Sequence, residues 1–404
     1  MDTPHPNRSR SGVPRGFAPT LALSMGVGPL ALYGLTATAP LVTADLGLSR
    51  AGLGSLPTAA FLTAALLSPL VGRCADLFSP RTVLAVLFGV AGLALLGTAS
   101  AASYGWLLAA VALCGAAQAM SNPVTNQLIA AHVPRGRRGH LMGLKQSGVQ
   151  MSQFAAGLLL PSAALLWGWR GAVALAAVAA GVGLALLPSS VPAGRPAPPA
   201  GGEGGSGGLP PVVWWLTGYA FAAGAALQAT NVYLPLYGFE RLEMSVRTAG
   251  LTAAIAGGIG LVARITWGRI ADRAQHSRGP LLTLAVVAAL ASCLLLAAEQ
   301  LHTPALIWGG TALFGASGIA ANVVLMLALM RATPVHTVGI ASGILAVGLY
   351  LGFAVGPMAF GLIVDHTGSY PSAWLTVMGA NAVAAVLALF PRREHRPTPA
   401  LRPA

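Results

Sequence analysis

The sequence predicts an all-α membrane protein: twelve transmembrane helices in two pseudo-symmetric six-helix bundles. Three observations carry that expectation. Only 8% of the 404 residues are charged and 55% are hydrophobic, where a soluble domain carries about 25% charged residues. Twelve apolar runs follow one another, each long enough to cross a hydrocarbon core of about 30 Å. The two halves of the chain also repeat short motifs at a constant separation, 196 positions from Gly72 to Gly268.

The first six runs lie near Phe17 to Val42, Gly52 to Val71, Thr82 to Ser100, Trp106 to Ala131, Leu141 to Leu165 and Gly171 to Leu187. The second six lie near Val212 to Tyr237, Ala249 to Ile270, Leu281 to Ala298, Ala305 to Met330, Val338 to Val364 and Ala373 to Phe390. The expected organisation is a tail over 1–16, a bundle over 17–187, a linker over 188–211, a second bundle over 212–390 and a tail over 391–404. The linker contains Pro-Ala-Pro-Pro and a Gly-rich stretch with one Glu and one Ser, a composition that builds no packed core. The 51 glycines and 29 prolines suit helices whose freed backbone groups are met by neighbouring helices or cavity water.

Orientation follows from arginine. With both termini inside, seventeen basic residues fall on the cytoplasmic side, whereas only Arg50, Arg170, Arg241 and Arg247 fall outside. That asymmetry is the positive-inside pattern of a multi-pass protein of the plasma or bacterial inner membrane. It explains the net charge of +13 without nucleic acid, since the arginines sit at span ends and are not interleaved with aromatics. Three scattered cysteines give no metal spacing. Neither a P-loop, a nucleophile elbow nor paired carboxylates occur, so no enzyme, metal or cofactor is expected.

The repeat pairs Gly72-Arg73-Cys74-Ala75-Asp76 with Gly268-Arg269-Ile270-Ala271-Asp272, and also Asn126 with Asn322 and Gly143 with Gly339. A Gly-x-x-x-Asp followed by basic residues, after the second span and again after the eighth, resembles the signature of the major facilitator superfamily. In the first copy only Gly72, Asp76 and Arg81 are retained; the second keeps Gly268, Asp272 and Arg273. The resemblance implies alternating access, a lipid-embedded and monomeric protein, a small-molecule substrate and a cytoplasmic gate. There an Asp beside a helix N-terminus and an Arg of the neighbouring loop form a latch.

Two cations remain inside the spans. Arg264 lies eight residues before Asp272, roughly 12 Å into the membrane at 1.5 Å per residue. Lys145, the chain's one lysine, lies seven residues after Arg138, about 10 Å in by the same rise. All ten carboxylates fall at span ends, in tails or in the linker, so neither cation has an acid at its own depth. An intramembrane charge is a functional-site expectation by default. Snorkelling and hydrogen bonding to carbonyls of a broken helix are the competing roles.

In the superfamily's arrangement helices five and eight face one another, which implies that both cations reach one central cavity and neutralise a small organic or inorganic anion. An Arg eight residues before the helix-eight Asp is similar to the oxalate/formate and monocarboxylate branches. Gly143 to Gly148 resembles cyanate-transporter relatives. Helix eleven holds no second cation, so a dicarboxylate preference does not carry over.

Polar stripes extend the expected site: Gln118, Asn122 and Asn126 on helix four, then Gln146, Gln150 and Gln153 on helix five. Gln228, Asn231 and Asn322 follow in the second half, and Tyr33 and Tyr350 supply hydroxyls or ring faces. For each, an interhelical hydrogen bond is the competing role. Glycines crowd helix eleven, from Gly339 to Gly361, for close packing or bending. The rival function is proton-coupled drug efflux. Such carriers commonly use an intramembrane carboxylate and a Gly-Pro-rich helix five, and this chain has neither.

Overall fold

The computed structural model describes residues 14, 16–192, 194, 209–274, 276–333 and 337–389. Most of the expected tails and linker lies outside the described residues. What is described is helical and makes twelve passes. The first pass is α1 (Phe17–Ala37) continued by α2 (Ala39–Leu46); α3 (Arg50–Leu77), α4 (Pro80–Ala99) and α5 (Tyr104–His132) follow singly. The fifth and sixth passes share α6 (Arg135–Ala176) and α7 (Val178–Ser190). The second half contains α8 (Pro211–Arg241), α9 (Val246–Arg273), α10 (Arg278–Gln300), a tenth pass split into α11 (Leu306–Ser317) and α12 (Ala321–Ala332), then α13 (Val338–Thr367) and α14 (Tyr370–Leu389).

Ten stretches are apolar and long enough to span by composition alone. One of these, 136–190, doubles back and supplies two passes. The reversal is made by Gly168, whose φ of 71° and ψ of 162° a side-chain-bearing residue rarely adopts. Arg170 and Trp169 staple the turn, donating to Asp45 at 2.6 and 3.2 Å, and Arg170 also donates to the Ala101 carbonyl. The remaining pass, α8, is less apolar because it carries Gln228, Asn231 and several tyrosines.

The repeat is legible in the packing. Ser49 caps α3 by accepting from the Gly52 amide, and Ser245, 196 positions later, caps α9 by accepting from the Thr248 amide. Gly54 of α3 meets Pro357 of α13, while Gly250 of α9 meets Pro161 of α6. These are one contact written twice, related by the same offset and each crossing between the bundles. Within bundles, small residues bring backbones equally close: Gly148 lies against Ala22, and Gly348, Gly352 and Gly356 of α13 lie against α8.

The seam between bundles is closed at one end. There the Asp365 carboxylate accepts from the Arg50 and Ala51 amides at 3.0 and 2.8 Å, so a residue of the second bundle caps a helix of the first. The Arg50 guanidinium pairs with Glu240 at 3.0 Å, Tyr370 donates to the same carboxylate, and Thr58 donates to the Ala354 carbonyl. At the opposite, arginine-rich end, Gly72, Gly139, Gly143 and Gly343 have open space where a Cβ would stand. Among the described residues, every hydrogen bond between the bundles lies at or on the closed side of the Arg264–Gln146 contact.

Candidate functional site

A cavity of about 120 Å³ lies between the bundles, beneath the closed end, with room for several waters or a small solute. Seven helices of the two halves bring the polar residues to it. From the first bundle α1 contributes Tyr33, α5 contributes Gln118 and Asn122, and α6 contributes Gln146 and Gln150. From the second, α8 contributes Gln228 and Asn231, α9 Arg264, α12 Asn322 and α13 Tyr350. These are ten of the eleven residues expected at the substrate site.

Arg264 is held by carbonyls. Its Nε donates to Ile319 O at 3.2 Å and Nη1 to Gln146 O at 3.4 Å. The first acceptor exists because the tenth pass breaks between α11 and α12, leaving carbonyls outside the helical ladder. Gly260, one turn before Arg264, lets α9 approach that break; a Cβ there would stand 2.7 Å from Ile319. No carboxylate pairs with Arg264 among the described residues. The guanidinium therefore retains donors toward the cavity.

Lys145 departs from the expectation. It is 2% exposed and absent from the cavity wall. Its ammonium donates to Asn122 Oδ1 at 3.2 Å, Thr125 Oγ1 at 2.9 Å and Asn126 Oδ1 at 2.5 Å. All three donors are thus engaged inside the first bundle, and the stripe on α5 is graded: Gln118 faces the cavity, Asn122 lines the cavity and also accepts from Lys145, and Asn126 turns to Lys145. The sequence shows the stripe but not this rotation, because a buried ammonium is better satisfied by three oxygens on one neighbour than by reaching the interface.

Three glutamines of α6 have unmet groups. Gln146 Oε1, Gln150 Oε1 and Gln153 Oε1 are buried without a hydrogen-bond partner among the described residues. Gln153 Nε2 donates across the seam to Asn231 at 3.0 Å. What the sequence reading missed is apolar. Phe61 of α3 stacks on Tyr350 with centroids 5.9 Å apart and tilts against Phe353 at 4.8 Å, and all three rings line the cavity. Phe353 lies three residues from Tyr350 and so shares its helix face, a signal that was available. Nothing in the sequence marks Phe61.

The expected gate residues lie at the open end. Gly72 has open space beside it. Arg81 donates to the Pro188 and Val191 carbonyls of its own bundle at 2.8 and 2.7 Å. The side chain of Asp76 lies outside the described residues. In the second copy Gly268 packs beside Val323, Asp272 and Arg273 are exposed, and Arg331 donates to the Asp272 and Ala274 carbonyls. These contacts secure loops within each bundle and do not bridge the seam in this conformer.

Residues 21–344 match the family model of the Major Facilitator Superfamily. A stretch of 171 residues is 32% identical to the multidrug resistance protein MdtG of Salmonella choleraesuis (strain SC-B67), covering 41% of this chain and 40% of that protein's length. The fold is similar to a bacterial homolog of the human lysosomal transporter Spinster in an inward-facing, occupied conformation, with a TM-score of 0.74 at 16% identity over 93% of this chain and 96% of that one. It is also similar to the D-xylose-proton symporter, with a TM-score of 0.73 at 17% identity over 92% of this chain and 97% of that one. The nucleoside transporter NupG aligns with a TM-score of 0.73 at 14% identity over 92% of this chain and 99% of that one.

Proposed function

The chain belongs to the major facilitator superfamily, and from that premise we propose that it carries a small organic or inorganic anion by alternating access, with Arg264 as the charge that holds it. The observation behind this reading is a guanidinium in the wall of the inter-bundle cavity, bonded to two carbonyls and to no carboxylate among the described residues. A partly buried charge within the membrane is costly where only carbonyls meet it, and a bound anion supplies the counter-charge. The Arg264-to-Asp272 spacing, similar to the oxalate/formate and monocarboxylate branches, points the same way. Gln118, Asn122, Gln146, Gln150, Gln228, Asn231, Asn322, Tyr33 and Tyr350 would orient the solute with neutral donors and acceptors.

Placing the arginine-rich end in the cytoplasm makes this conformer inward-facing, with Asp365, Arg50 and Glu240 as the closed outer gate. The transition to the outward state opens that end. Gly72, Asp76, Arg81, Gly268, Asp272 and Arg273 would then seal the other. Occluding an empty site encloses an unneutralised guanidinium, whereas a loaded site is charge-balanced, so the loaded carrier crosses more readily and exchange is favoured over uniport.

Drug efflux is the second reading, supported by the partial similarity to MdtG and by the apolar part of the wall. Thermal unfolding of the purified protein separates the two, because a ligand that binds only the folded state stabilises it. Stabilisation by small carboxylates that vanishes in Arg264→Ala supports the anion carrier. Stabilisation by lipophilic cations, with anions silent, replaces it by efflux.

A further inference from the structure

We infer that the cavity takes a monovalent organic anion with a planar aromatic body, its charge on Arg264 and its ring against Phe61, Tyr350 and Phe353. The inference rests on the anion-carrier reading and adds the valence and the shape of the solute.

Valence follows from counting the cations that face the cavity. Arg264 lines it; Lys145 does not, and its three donors are spent on Asn122, Thr125 and Asn126. A second negative charge on the solute would meet only uncharged groups: amides, the hydroxyls of Tyr33, Ser121 and Tyr350, and apolar side chains. Leaving a charge unpaired in such surroundings costs more than the extra contact returns, so a dianion is penalised where a monoanion is balanced.

Shape follows from the rest of the wall. Phe61 on α3 and the pair Tyr350 and Phe353 on α13 come from opposite bundles and meet at centroid distances of 5.9 and 4.8 Å, the pair itself standing 6.2 Å apart. Tyr350 and Phe353 are only partly buried, so ring surface remains for a ligand. Leu227 and Leu349 continue the apolar lining. A small, strongly hydrated anion would reach Arg264 and leave this surface facing water. An aromatic carboxylate would cover it, and ring-to-ring contacts add to the buried area. Because the trio spans the seam, a ring seated there touches both bundles at once, which ties occupancy of the site to their relative motion.

The test compares benzoate, acetate, phthalate and tetraphenylphosphonium by thermal stabilisation of the full chain, titrated to give a Kd for each. Benzoate is expected to bind at least about tenfold more tightly than acetate, and phthalate no more tightly than acetate. Phe353→Leu is expected to weaken benzoate several-fold and leave acetate unchanged; Phe61→Leu serves as the second probe should either variant fold poorly. Arg264→Gln is expected to abolish both. Equal affinity for acetate and benzoate, or benzoate binding undiminished in both Phe variants, overturns the aromatic body while the anion carrier stands. Phthalate binding more tightly than benzoate overturns the monovalent site. Silence of every anion, or a response to tetraphenylphosphonium alone, overturns this inference and the anion carrier together.

Discussion

Adding one methyl group to the outer seam should push the protein out of the conformer described here. A Cβ on Gly54 would stand 2.4 Å from Pro357 O and 2.5 Å from Tyr233 Oη, both in the other bundle. The symmetry-related Gly250 would place its Cβ 2.3 Å from Pro161 Cγ, again across the seam. Such overlaps force backbone shifts that cost about 1–3 kcal/mol per site. The cost is incurred only while that end is closed, so Gly54→Ala should shift the equilibrium toward opening it by about 5- to 150-fold. The control is Gly356→Ala, where the clash is with the Ala225 carbonyl at 2.1 Å inside the same bundle. It should lower the melting temperature without moving the population. The assay is a spin-label distance distribution between the 101–103 and 301–305 turns, in a chain with Cys74, Cys114 and Cys293 replaced. An unchanged distribution in folded Gly54→Ala, or an equal shift in Gly356→Ala, would refute the argument that these glycines act through the seam.

Other perturbations report on separate parts of the account. Asp365→Ala removes the cap that the second bundle places on α3 and should favour opening by about 0.5–2 kcal/mol, read by the same distances; no change would leave the cap without a gating role. Lys145→Met leaves Asn122, Thr125 and Asn126 without their shared donor and should destabilise the fold by about 1–3 kcal/mol with anion affinity near wild type. Loss of anion binding in a well-folded Lys145→Met would instead put its charge in the site. Asp45, at the surface of the closed end, has its carboxyl held below the ordinary range by hydrogen bonds from Arg170 and then Trp169. A depressed folded pKa stabilises the protein above the unfolded value, and that contribution is lost as pH falls through the folded one. Stability measured below about pH 4 should therefore fall less steeply in Asp45→Asn, and parallel acid limbs would discard the assignment.

Much of this architecture could be read from the chain because the membrane demands it. Spans are long and apolar, charges collect at their ends, and the repeat fixes two equivalent halves. Arg264 and the amides around it stood out because polar groups are rare at that depth. What the sequence obscured is rotation and contact. Helical spacing put Asn122 and Asn126 on one face of α5, but with α6 packed against it both accept from Lys145 and only Asn122 also lines the cavity. Phe61 is one apolar residue among many in its span and acquires meaning only opposite Tyr350 and Phe353. The break between α11 and α12 leaves equally little trace, since it lies within an apolar stretch, whereas the turn at Gly168 falls between the spans expected to end at Leu165 and to begin at Gly171. Arg81 was marked as a gate residue by its motif alone, and the motif does not show that backbone carbonyls at the end of α7 offer it acceptors within its own bundle.

The most direct test of the account is counterflow. Liposomes containing the protein are preloaded with whichever anion stabilises it most, and entry of the radiolabelled anion is followed in wild type and Arg264→Gln. Wild type should accumulate the label transiently and only with internal anion present, and this accumulation should disappear in the variant although the variant remains folded and membrane-inserted. Equal accumulation in both proteins would contradict the claim that Arg264 holds the transported solute.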